Sequence, residues 1–124
     1  MIHMSLRMEF TPDKVDEALQ ILRSIVEPTR AEVGCIDCSV YQDTEMENQI
    51  LFIQKWRSEE FLQRHLRSEE YQKVLLVMEM ALSPPEIIFD TIASTSGVET
   101  IEKARTGKTK NVNEKPGNPD GGEE

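Results

Sequence analysis

Cysteine, histidine and tryptophan are scarce in this chain of 124 residues, which has two, two and one of them. Two cysteines cannot build a disulfide framework, and a chain of this length can bury a core without such staples. Cys35 and Cys38 form a C-x-x-C, but the pair falls on a predicted strand, where positions i and i+3 point to opposite faces. No second ligand pair accompanies it, and His3 and His65 lack metal-type spacing. Two small apolar strand residues are therefore expected, with no metal and no cofactor. Basic residues are also few, 14 against 23 acidic, for a formal net charge of −9. Scattered in this way they make neither a nucleic-acid surface nor a patch for anionic membranes. No run of about 18 apolar residues occurs, which excludes a transmembrane helix. The N-terminus lacks the basic and then apolar build of a signal peptide, so a cytoplasmic protein is expected.

What the chain does have is clear periodicity. Ile2, Met4, Leu6, Met8 and Phe10 alternate with His3, Ser5, Arg7 and Glu9, the pattern of a strand with one apolar face. Thr11 and Pro12 read as N-cap and first residue of an amphipathic helix striped by Val15, Ala18, Leu19, Leu22, Ile25 and Val26 and ending near Pro28 to Glu32. Gly34 breaks to a strand from Cys35 to Gln42, with Ile36, Cys38 and Val40 on one face, and a polar loop from Asp43 to Asn48 leads to the strand Gln49 to Trp56. Ser58 and Ser68 each precede two glutamates, which predicts two N-caps and either two helices in series or one interrupted helix. Ser83-Pro84-Pro85 stops that helix before a last strand containing Ile87, Ile88, Phe89 and Ile92.

Past Ala93 apolar residues nearly vanish. The chain therefore divides into a domain over 1–93 and a polar tail over 94–124, with a short helix conceivable at 98–105 and disorder expected from Thr106 onward. The element order βαββαβ predicts an α+β, ferredoxin-like fold: a four-stranded antiparallel sheet with its helices on one face. Ile50–Ile53 and the last strand are apolar on both sides, so the second face should be covered too, most economically by a second copy.

In the segment ILFIQKWRSEEFLQRHLRSEEY, Trp56 precedes His65 by nine positions, and His65 shares the helical stripe of Phe61, Leu62 and Leu66. Together with Val33-Gly34-Cys35, Val40-Tyr41-Gln42-Asp43 and Pro85-Glu86-Ile87, that segment resembles the antibiotic biosynthesis monooxygenase family over about residues 2 to 93. The resemblance implies a dimeric ferredoxin-like α+β barrel and, in the quinol-oxygenase branch, a cofactor-independent monooxygenase. Its substrate would be an electron-rich quinol or polycyclic phenol, whose anion can itself pass an electron to dioxygen. His65 would then be the base, Trp56 and Phe52 would wall the pocket, and Tyr71 would place a hydroxyl on the substrate, with His3 as a second candidate for contact. The haem-degrading branch fits less well, because strand one has no Asn.

Each of these residues also has a packing reading: His65 as a partly exposed helical histidine at the core edge, Trp56 and Phe52 as core aromatics, Tyr71 as a cover over Phe61. Hence the alternative to an enzyme is a small-molecule-binding or stress-associated dimer of the same fold.

Overall fold

A computed structural model describes residues 1–107. Met1–Ala93 is one compact unit, and the described residues from Ser94 belong to another. In the first, β1 (Ile2–Glu9), α1 (Val15–Arg30), β2 (Cys35–Gln42), β3 (Gln49–Trp56), α2 (Glu59–Leu66), α3 (Glu69–Met80) and β4 (Glu86–Thr91) follow in order. The strands form one sheet in the order β2-β3-β1-β4, antiparallel throughout. This is the predicted ferredoxin-like arrangement, with the second helix divided into α2 and α3. In the second unit a helix, α4, spans Val98–Thr106. The tail expected to be disordered lies, from 108 onward, outside the described residues.

Alternation decides which face is core. Met4, Leu6 and Met8 of β1 stand opposite Gln54, Phe52 and Ile50 of β3, and directly opposed residues in an antiparallel pair share a face. That face packs with Leu22 and Ile25 of α1 and with Tyr71, Val74 and Val77 of α3 in one buried cluster. Full burial of each such side chain stabilises the fold by about 1.5–3 kcal/mol. The other face carries His3, Ser5, Arg7 and Glu9 against Lys55, Ile53, Leu51 and Gln49. Leu51 and Ile53 are only partly buried there, and Tyr41 and Ile88 are exposed.

Local chemistry moves several predicted boundaries. Helix α1 begins at Val15 rather than Pro12, because Thr11–Lys14 closes first as a turn in which the Lys14 amide donates to the Thr11 carbonyl. Ser58 occupies the N-cap of α2 without a side-chain cap bond, whereas the Ser68 hydroxyl accepts from the Tyr71 amide at the start of α3. A bulge between Cys35 and Asp37 corrects two expectations at once. The extra residue shifts the phase of β2, so Cys35 stands opposite Trp56 and Cys38 opposite Gln54. Both cysteines therefore lie on the helix-facing side, and Ile36 is exposed. Thus the C-x-x-C does not straddle the sheet, and Ile36 does not share the face of Cys38 and Val40.

Candidate functional site

His65 occupies the last turn of α2 and is fully buried, not partly exposed as its helical position suggested. The α2–α3 junction fixes its backbone: its carbonyl accepts from the Ser68 amide at 2.9 Å and from the Ser68 hydroxyl at 2.6 Å. Since Ser68 also caps α3 through the Tyr71 amide, one serine sets both the imidazole and the Tyr71 ring. The rings of His65 and Tyr71 meet edge to face, 5.6 Å between centroids, and Trp56 lies against the imidazole at 4.7 Å, tilted by 32°.

A polar chain runs through this apolar setting. The Trp56 indole Nε1–H donates to Gln54 Oε1 at 3.0 Å, and Gln54 Nε2 lies 3.2 Å from His65 Nε2. On the other side of the ring, His65 Nδ1 is 3.0 Å from each oxygen of Glu32. Gln54, His65 and Trp56 are buried, while the Glu32 side chain keeps 28% of its surface in solvent. Every member with a polar group inside is paired, as burial demands.

Gly34 makes the reach of Glu32 possible. The backbone there has φ of +92°, and a Cβ at that position would collide with the Phe61 side chain. The turn is held by the Cys35 amide on the Glu32 carbonyl and the Arg57 amide on the Gly34 carbonyl. A residue without a side chain is required on both counts.

Beside this cluster opens a cavity of about 320 Å³, lined by Ile2, Leu62, Leu66 and Phe89 with Glu59, Gln63 and Thr91. Ile2 and Leu62 also belong to the packed cluster of Trp56. The indole therefore stands one side chain behind the cavity wall, and the imidazole lies against the indole. Phe52 is in the middle of the main core, opposite Leu6 and Val40. His3 has the odd phase of β1 and lies on the other face of the sheet, opposite Lys55 and Asp90. The structure thus brings together Trp56, His65 and Tyr71, and places Phe52 and His3 elsewhere.

The family model for antibiotic biosynthesis monooxygenase matches residues 1–75. The chain belongs to the antibiotic biosynthesis monooxygenase family. An uncharacterised protein of Synechocystis is 33% identical over 85 residues, a match spanning 68% of this chain and 58% of that relative. The structure of a conserved protein from Methanosarcina mazei superposes with a TM-score of 0.67 at 30% identity, over 72% of this chain and 89% of that one. The crystal structure of an antibiotic biosynthesis monooxygenase does so with a TM-score of 0.69 at 21% identity, over 76% of this chain and all of that one; this last likeness speaks to the fold alone.

In this family member, sequence reasoning missed Glu32 and Gln54. Gln54 had a signal: it continues the buried stripe of Ile50, Phe52 and Trp56, and a polar residue in such a stripe needs a partner. Glu32 had none, being a loop residue whose contact is remote in sequence. Burial pushes the Cys38 thiol up to about 12, and burial followed by the Glu32 charge raises that of Cys35; neither thiol is activated as a nucleophile. Burial likewise raises the pKa of the Tyr71 hydroxyl above its ordinary value. Among the described residues no three His, Cys, Asp or Glu side chains gather to hold a metal, and no helix is long and apolar enough to cross a membrane.

Proposed function

We propose that this chain is a cofactor-independent monooxygenase acting on an electron-rich quinol or polycyclic phenol, bound in the cavity beside α2. The observation that carries the reading is the buried His65 imidazole, backed by the Glu32 carboxylate and packed on Trp56, whose neighbours Ile2 and Leu62 line an apolar cavity with a few polar groups at its rim. A volume of about 320 Å³ suits a ring system of one or two fused rings.

In this reading His65 Nε2 takes the phenolic proton once the Gln54 amide has turned away, and Glu32 steadies the imidazolium. The phenolate passes an electron to dioxygen, and the radical pair joins at a hydrogen-bearing ring carbon, para to the ionised hydroxyl in a phenol or ortho to it in a quinol, with the proton returned to the peroxide. Loss of water from that hydroperoxide leaves a second carbonyl. One oxygen atom enters the product, the other leaves as water, and the substrate supplies all four electrons. Trp56 and the edge of Tyr71 keep water from the imidazole.

A second copy of the chain completes the proposal. Tyr41, Leu51, Ile53 and Ile88 make an apolar centre on the outer sheet face, ringed by Arg7, Glu9, Lys55 and Glu86, and a two-fold pairing of two such faces covers both.

One observation favours the alternative, a dimer that binds aromatic ligands without turnover. Both nitrogens of His65 are already hydrogen-bonded, and the ring does not border the cavity. Oxygen uptake with a panel of hydroquinones and naphthols separates the two: the monooxygenase reading expects consumption above autoxidation and a quinone product carrying one atom of labelled dioxygen. Binding, seen through the single tryptophan, without any such uptake selects the alternative.

A further inference from the structure

We infer that Gln54, held in one orientation by the Trp56 indole, is a positioning residue that keeps the imidazole proton of His65 on Nδ1 and the lone pair on Nε2. Indole nitrogen can only donate, so the atom of Gln54 facing it must be the carbonyl oxygen, at 3.0 Å. The amide NH2 is then the group that faces His65 Nε2 at 3.2 Å, and Nε2 must accept. The opposite end of the chain reaches the same result independently. A carboxylate can only accept, so His65 Nδ1 must carry the hydrogen it gives to Glu32.

Turning the Gln54 amide over does not relieve this arrangement, because it sets NH2 against the indole N–H with both groups buried. A histidine between a carboxylate and a donor clamp is thus ordered at both nitrogens, where an ordinary buried histidine is free to choose. In catalysis, which rests on the monooxygenase reading, this makes Nε2 the basic atom and Gln54 its cover. A substrate hydroxyl reaches Nε2 only by replacing the amide there, so the base is exposed when a phenol arrives and shielded from other proton sources otherwise.

The experiment is a long-range proton–nitrogen correlation spectrum of the uniformly labelled full chain carrying His3→Gln, which leaves His65 as the sole histidine. It is recorded without substrate, above the titration range of an ordinary imidazole. The expected spectrum has an N–H type nitrogen at Nδ1 and a lone-pair nitrogen at Nε2. In Gln54→Glu, a carboxylate accepts from both the indole and the ring, and the Nε2 signal shifts to the N–H type. A hydrogen on Nε2 in the protein with Gln54, or a lone pair kept on Nε2 in folded Gln54→Glu whose introduced carboxyl is ionised by its carbon shift, overturns the assignment; if Gln54→Glu does not fold or its carboxyl stays protonated, the first spectrum decides. Since no substrate is present, failure to consume oxygen sinks the monooxygenase reading without touching this result.

Discussion

His65 Nδ1 lies 3.0 Å from both carboxylate oxygens of Glu32, a contact that joins residues 33 positions apart. It ties the loop after α1 to the last turn of α2, across the end of β3. Glu32→Ala leaves a buried N–H without a partner and is expected to cost about 1–3 kcal/mol. Urea unfolding followed by Trp56 fluorescence reads this directly; an unchanged midpoint contradicts it.

Gly34 supports the same contact from the backbone. Gly34→Ala has to place a Cβ against Phe61 in a left-handed conformation, with an expected loss of about 1–3 kcal/mol. Leucine at Phe61 should not rescue it, since the backbone strain persists. Thermal unfolding of the single and double variants tests both statements.

The buried thiols give a pH signature. An unfolded Cys38 ionises near 9.0, while burial holds the folded thiol protonated to about 12. Between those values the unfolded chain binds fewer protons than the native one, so stability falls as pH rises through the window. Cys35 and Tyr71, also raised, add slope in the same sense. Cys38→Ala should flatten the decline of stability from pH 9 to 12 relative to the parent protein. Below that window the buried Cys38 thiol should resist a thiol reagent until the protein unfolds.

The outer sheet face makes a separate prediction. Ile53 lies between Ser5 and Ser39 on that face, so Ile53→Glu places a charge near the centre of the proposed dimer contact. Sedimentation at micromolar concentration should show a dimer for the parent and a monomer for the variant. A parent chain that sediments as a monomer contradicts the proposed pairing.

Much of this fold is written in local periodicity. The strict alternation from Ile2 to Phe10 and the stripe from Val15 to Val26 report which side each residue faces, and the segment Ile50–Tyr71 carries both family likeness and the Trp56–His65 pair. What periodicity could not convey was the bulge after Cys35, which brings Cys35 to the same face as Cys38. Nor could it convey Glu32, whose partner is brought near only by tertiary packing. His65 shows both limits together: its helical face was legible, while its complete burial depends on α3, β3 and the Gly34 turn converging on it.

The monooxygenase reading is tested most directly by oxygen uptake with a reactive naphthol, comparing the parent protein with folded His65→Ala at matched concentration. A general base of this kind is worth about 10²–10⁴-fold, so the parent should consume oxygen well above autoxidation and the variant should fall by that factor. Rates equal to autoxidation for both proteins, or equal to one another above it, would contradict the role given to His65.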